Sequence, residues 1–274
     1  MSDTPAWMKR RPEKPPAPGI ETNVPHSARV WNYWLGGKDN FEADRAVGDM
    51  VWNAFPEIVD IARYVRAFLG RAVRFLAGEA GIRQFLDIGT GLPTANNTHE
   101  IAQSVAPESR VVYVDNDPLV LAHARALLTT TSEGVTNYLD ADVREPEKIL
   151  EAAAETLDFN KPVAVMLMGI LAHIDDYEEA RSIVRKLMDA MPSGSYLTVS
   201  DGTNTSDAVV ESHRQYNENA PVPYHLRTPE QIAGYFEGLE LVEPGVVQFP
   251  QWRPDPDDGP PAYVDGYCGV ARKP

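Results

Sequence analysis

The sequence predicts a doubly wound α/β fold: a mostly parallel, seven-stranded sheet covered on both faces and preceded by an N-terminal helical extension. Three observations predict it. Short apolar runs alternate with stretches of helical period, the first of these runs breaks at two closely spaced glycines, and residues 164–168 are apolar without alternation. Unbroken apolar character is what a parallel strand buried on both sides requires.

Taken in order, residues 1–25 hold Pro5, Pro12, Pro15, Pro16, Pro18 and Pro25 with few apolar groups between them, and read as a tail. From Ser27 the chain gathers Ala28, Val30, Trp31, Tyr33, Trp34 and Leu35 before Gly36 and Gly37 break it, as a short helix and tight turn would. Ile58, Ala62, Val65, Leu69, Val73 and Leu76 form one helical stripe meant to pack on a sheet. Residues 26–80 thus read as a helical lid and packing helix, and 81–274 as a ligand-binding α/β domain forming one unit with them. Strands follow at 84–88, 110–114, 135–139, 164–168 and 195–199. Helices are expected after the first glycine turn to about 106, from the cap Asp117 with Pro118 through Leu128, from Asp175 and Asp176 to about 191, and over 228–236. Residues 239–247 and 263–270 read as a closing pair of strands, and there is no internal repeat.

Composition narrows the function classes. The 274 residues are 43% hydrophobic and 24% charged, enough to build one core without staples. Forty acidic against 25 basic side chains, a net charge of -15, argue against nucleic acid as a partner, which needs clustered Lys and Arg. The single cysteine, Cys268, excludes a disulfide framework and a cysteine-rich zinc site and points to a reducing compartment. The longest apolar run, residues 163–172, falls short of a bilayer core of about 30 Å, and no secretory signal precedes it, so a soluble cytoplasmic protein is expected.

In such a fold ligands sit at the carboxyl ends of the strands, and the loops there carry the chemistry. The strand 84–88 runs into FLDIGTG, residues 85–91, where Gly89 and Gly91 let a ligand lie against bare backbone beside a helix N-terminus; the plain alternative is a tight strand-to-helix turn. Asp115 ends the second strand, where a carboxylate can accept two hydrogen bonds from a ribose diol. Alternatively it is only solvated while Asp117 caps the next helix. In DADVRE, residues 140–145, Asp142 suits an adenine amino group and Val143 the ring face, although surface loops are often acidic too. Together the three loops describe an adenosine pocket. A dinucleotide fingerprint wants a third small residue where Thr94 stands, and Pro93 removes a donor. Asp87 would repel a pyrophosphate but welcome an ammonium, which favours S-adenosylmethionine over NAD.

With these loops and the segment SARVWNYWLGGKDNFEADR at residues 27–45, the sequence resembles the class I S-adenosylmethionine-dependent methyltransferases. More narrowly it is similar to an actinobacterial family of largely uncharacterised methyltransferase-like proteins, over almost everything after the proline-rich tail. The resemblance implies a Rossmann-like methyltransferase fold with S-adenosylmethionine as cofactor. By it, FLDIGTG is the methionine-binding loop (Asp87, Gly89, Thr90, Gly91), VYVDND the ribose loop (Asp115, Asn116), and DADV the adenine loop (Asp142, Val143). The loop MGILAHI after the fourth strand, with Gly169, would then line the cofactor near its methyl group.

Methyl transfer is a displacement in which the protein chiefly aligns reactants and excludes water. A base is needed only for a protonated acceptor, and His173 is the best-placed one, its ordinary pKa of about 6.5 suiting the task; its alternative is to pack beside the cofactor or cap a helix. Asp201 and His225 are secondary candidates. Residues 31–45 read equally as an element closing a sheet edge or as a lid in which Tyr33, Gly36, Gly37, Lys38, Asp39 and Asn40 help select the acceptor. Trp252, in a proline-rich stretch at 250–261, either shapes that mouth or sits in an exposed loop. The fourth-strand loop lacks the Asn/Asp-Pro-Pro-Tyr signature of base or amide nitrogen methylation and a Pro-Cys nucleophile, and the histidines lack metal-ligand spacing. The expected function is methyl transfer to a small-molecule acceptor, with oxygen a candidate atom. A non-catalytic S-adenosylmethionine-binding regulator and an NAD-dependent oxidoreductase are the alternatives.

Overall fold

A computed structural model describes residues 20–94, 96–127, 130–256 and 262–274. Most of the expected proline-rich tail, the expected helix end at Leu128, and residues 257–261 of the second proline-rich stretch lie outside the described residues.

Three helices come first: α1 (Ser27–Trp34), α2 (Glu42–Ala54) and α3 (Ile58–Gly78). There follow β1 (Gln84–Ile88), α4 (Thr98–Val105), β2 (Arg110–Asp115), α5 (Pro118–Leu127), β3 (Val135–Asp140), α6 (Pro146–Ala153) and β4 (Ala164–Met168). A 3-10 turn (Leu171–His173) leads to α7 (Tyr177–Asp189), β5 (Tyr196–Gly202), α8 (Asp207–Asn219) and α9 (Pro229–Gly234). The chain closes with β6 (Glu240–Leu241), β7 (Val247–Gln248) and β8 (Gly266–Arg272).

The strands lie in the order β3-β2-β1-β4-β5-β8-β6, with β7 also on β8. The first five are mutually parallel and β8 runs antiparallel to β5. The expected closing strand at 239–247 is broken: β6 pairs with Leu241 opposite Ala271, β7 with Val247 opposite Cys268, a register shift of three residues. Pro244 and Gly245 lie in the interruption, and proline has no amide to give the ladder. The last strand begins at Gly266 rather than 263, although the Asp265 carbonyl still accepts the Thr203 amide at 3.1 Å in the same register.

Alternation along the strands sorts side chains to two cores. Phe85, Val111, Tyr113 and Met166 join α1, α2 and α3 on one face; Leu86, Val112, Val165 and Leu167 meet Ile149 of α6 and Ile183 and Leu187 of α7 on the other. Three helices escaped the sequence reading, namely α2, α6 and α8. The buried face of α8 carries only Val209, Ser212 and Tyr216, and α2 buries Asp44 and Gly48 beside Val47 and Val51, so neither shows an apolar stripe.

Trp252 corrects the expectation of an exposed loop. It is fully buried, edge-on to Phe68 at 5.4 Å and to Phe75 at 5.9 Å, and does not line the cavity described below. Buried Arg71 of α3 holds the segment, donating from Nε to the Trp252 carbonyl at 2.8 Å and from Nη2 to the Phe249 carbonyl at 2.7 Å.

Candidate active site

Strand order reverses between β1 and β4, which opens a crevice at their carboxyl ends. The turn after β1 is pinned to β2, the Gly89 and Thr90 amides donating to the Val114 carbonyl at 2.8 and 3.3 Å. Gly89 has φ +75, and a Cβ there would stand 2.6 Å from Cβ of Ile170, so only glycine lets the β4 loop close over the turn. After β4 the Gly169 amide donates to the Ser200 carbonyl at 2.7 Å, tying that loop to β5.

A continuous cavity of about 240 Å³ opens here. Asp87, Gly89, Thr90, Gly91, Asp115, Asn116, Asp142, Val143, Gly169 and His173 all line it. The three acidic loops therefore converge on one space.

The carboxylates differ in how they are held. Asp115 is buried and accepts the Asp117 amide on Oδ1 at 2.9 Å and the Gly91 amide on Oδ2 at 2.8 Å. Burial raises its pKa against those two bonds. Asp117 is the expected cap, its Oδ1 accepting the Leu119 amide at 2.8 Å, so capping leaves Asp115 for the cavity. Asp87 accepts the Thr98 hydroxyl at 2.6 Å, and burial pushes it up to about 6. Arg66 of α3, on the same cavity wall, acts on Asp87 electrostatically and donates to the Asn96 carbonyl at 2.9 Å. Asp142 accepts the Arg144 amide at 2.9 Å and pairs with its guanidinium at 3.2 Å.

His173 donates from Nδ1 to the Pro223 carbonyl at 2.8 Å and packs edge-on to Tyr224 at 5.3 Å. Because a carbonyl only accepts, the neutral ring carries its proton on Nδ1 and keeps its lone pair on Nε2. Burial lowers its pKa below 6.5. His225 is elsewhere, 3.4 Å from Asp175 and off the cavity wall.

The N-terminal segment does reach the cavity, but through other residues than those expected. Trp31, Asn32, Trp34 and Leu35 line it, whereas Tyr33, Lys38, Asp39 and Asn40 do not. Tyr33 is buried with its hydroxyl donating to Asp49 at 2.7 Å, Lys38 is exposed, the Asp39 amide donates to Asn32, and Asn40 donates to Asn32 and to the Gly37 carbonyl. The segment is latched beside the ribose loop, His26 Nδ1 lying 3.1 Å and Arg29 Nε 3.4 Å from Oδ2 of Asp117. His26, Arg66, His213 and Tyr224 also line the cavity. They sit on helices or connections whose spacing marks them as ordinary surface or core positions, so no local signal singles them out.

A family model described as S-adenosyl methyltransferase matches residues 13–274. The chain belongs to that family. A crystal structure of a DUF574 family protein from Streptomyces avermitilis MA-4680 is 48% identical and covers 92% of this chain and 99% of its own, with a TM-score of 0.88. A candidate methyltransferase from Thermobifida fusca YX is 44% identical, covers 93% and 97%, and has a TM-score of 0.85. A SAM-dependent methyltransferase from Anabaena variabilis ATCC 29413, 15% identical over 94% and 99% with a TM-score of 0.51, shares the fold. No curated protein matches.

The methyltransferase uses S-adenosylmethionine, and the cavity suits that cofactor. Bare backbone at Gly89 and Gly91, a buried carboxylate at Asp115 and a carboxylate at Asp87 complement a nucleoside with a cationic tail. Among the described residues no group of three or more His, Cys, Asp or Glu is placed to hold a metal ion, and no helix is long and apolar enough to cross a membrane.

Proposed function

We propose that the methyltransferase methylates a hydroxyl oxygen of a small-molecule acceptor in the cytoplasm, without nucleic acid as a partner, residues 26–80 and 81–274 working as one unit. The observation that carries this reading is that His173, with Nδ1 committed to Pro223, lines the same cavity as Asp87 and Asp115.

Asp115 receives the ribose hydroxyls, beside Asn116; Asp142 and Val143 receive the adenine; Asp87 meets the ammonium of the methionine tail and Arg66 its carboxylate. Gly89, Thr90, Gly91 and Gly169 keep the walls close. When bound, the cofactor supplies an electrophilic methyl carbon. His173 accepts the hydroxyl proton on Nε2 as the oxygen becomes nucleophilic. Trp31 and Trp34 exclude water from the reacting atoms.

Titration calorimetry with S-adenosylhomocysteine and with NAD, followed by incubation with methyl-labelled cofactor and a pool of hydroxylated metabolites, tests the reading. Binding of S-adenosylhomocysteine and label in an ether product are expected. Tight NAD binding with no response to the sulfur ligand overturns it, and cofactor binding with no product from broad acceptor pools favours a regulator.

A further inference from the structure

Away from the loops that face the nucleoside, the cavity turns apolar. Trp31 and Trp34 of α1, Val51 of α2, Leu69 of α3 and Phe249 after β7 wall it. Helix α8 adds Val209, His213 and Tyr216, spaced by four and then three residues, so one stripe of that helix faces the space. His213 stands in the middle of the stripe and its ring is partly exposed.

Other polar groups on this side are engaged or enclosed. Asp265 accepts the Thr205 and Ser206 hydroxyls at 2.7 and 2.9 Å, and the Tyr224 hydroxyl accepts the Gly202 amide at 2.9 Å. Asp201 is buried on the face of β5 shared with Leu197 and Val199, where the Ala172 amide and Arg227 bear on it. His213 differs. Its Nδ1 donates to the Val209 carbonyl at 2.9 Å, and the Ser212 hydroxyl, 3.3 Å from that nitrogen, donates to the same carbonyl at 2.9 Å. Burial favours the neutral ring, whose lone pair is then on Nε2. Among the described residues nothing bonds to that Nε2, which is not enclosed. His173 is built alike, with Nδ1 on the Pro223 carbonyl, and the two imidazoles pack on one ring, their centroids 5.3 and 5.2 Å from that of Tyr224.

We propose that His213 is a specificity-determining residue of the acceptor subsite, and that the subsite takes a largely apolar ring compound bearing two hydroxyl groups, one for Nε2 of His173 and one for Nε2 of His213. The aromatic walls offer faces for the ring. Two imidazoles that only accept at their open nitrogens select a ligand that donates twice, since a bare acceptor atom facing either lone pair leaves both without a partner. The hydroxyl on His173 is the one methylated, and His213 holds the other and so chooses between the two ends of the molecule. This assignment rests on the methyl-transfer reading for the role of His173.

The test measures, by equilibrium dialysis of the full chain with and without S-adenosylhomocysteine, the binding of 2-naphthol, of 2,3-, 2,6- and 2,7-dihydroxynaphthalene, and of the monomethyl ether of each diol. Wild type is expected to bind at least one diol about fivefold or more tightly than 2-naphthol, one added hydrogen bond, and to lose that gain with its monomethyl ether. His213→Leu is expected to remove the gain, and His213→Gln to keep part of it, because the amide oxygen also accepts. The proposal is overturned if no diol outbinds 2-naphthol, if the ether binds like its diol, if His213→Leu keeps the whole gain, or if His213→Gln loses as much as His213→Leu. The diol and ether comparison needs wild type alone and so stands even where a variant melts early. Calorimetry with S-adenosylhomocysteine reports on the cofactor reading separately: its failure beside an intact diol preference removes that reading and leaves the paired acceptors, and the reverse removes only the paired acceptors.

Discussion

The Gly91 amide donates to Oδ2 of Asp115 at 2.8 Å, so the glycine turn after β1 is tied to the end of β2 through the carboxylate assigned to the ribose. One residue thereby shapes the loop and lines the cavity.

Asp115→Ala removes both functions. Two charge-assisted hydrogen bonds to a diol predict a loss of S-adenosylhomocysteine affinity of about tenfold to a hundredfold by calorimetry. Asp115→Asn, which still accepts the Gly91 amide on its carbonyl oxygen, is expected to lose less. Unchanged affinity in both variants places the ribose elsewhere.

Gly89 and Gly169 separate strain from crowding. Both have positive φ, +75 and +77, but a Cβ at Gly89 strikes Ile170 whereas one at Gly169 meets nothing within 4 Å. Each change to alanine costs about 1 to 3 kcal/mol of backbone strain, and overpacking adds about 1 to 3 kcal/mol at Gly89 alone. Urea unfolding should rank Gly89→Ala below Gly169→Ala; equal losses would mean that Ile170 yields freely.

Asp87 gives a pH signature. Its folded pKa of about 6 lies above the ordinary 3.8. Between those values the native state keeps a proton that the unfolded chain releases, so this group's contribution to stability falls as pH rises through the window and stays low above it. The melting temperature of Asp87→Asn minus that of wild type is therefore expected to climb from pH 4 to 6 and then level. For Asp201→Asn, with the folded value at about 8, the climb continues to pH 8. Differences independent of pH would show that neither carboxyl is buried as described.

His173→Asn is expected to lower kcat by about a hundredfold or more while S-adenosylhomocysteine affinity holds. Because burial lowers the histidine pKa, the wild-type rate should rise with pH and level off below pH 6.5. A variant with wild-type kcat removes His173 from proton transfer.

The parallel half of the fold is legible in the sequence because its strands are short, mostly apolar runs bounded by turns: residues 84–88 and 164–168 coincide with β1 and β4. Helices buried against other helices are harder to read, since α2 and α8 bury polar and small residues such as Asp44, Gly48 and Ser212. The same contrast holds at the site. Asp87 and Asp115 lie at the carboxyl ends of β1 and β2 and Asp142 lies two residues beyond β3, where the fold dictates their placement. In the 31–45 segment spacing could not choose among neighbours, and packing turns Trp31 and Trp34 to the cavity while Tyr33 binds Asp49.

The interrupted partner of β8 bears on how the protein behaves at high concentration. A long bare ladder would invite strand addition from another molecule. Here that margin offers two stretches of two residues each, out of step by three and separated by a proline. No continuous template for intermolecular pairing exists along it, so fibrillar growth from this side of the native molecule is blocked even though Leu241 is 46% exposed.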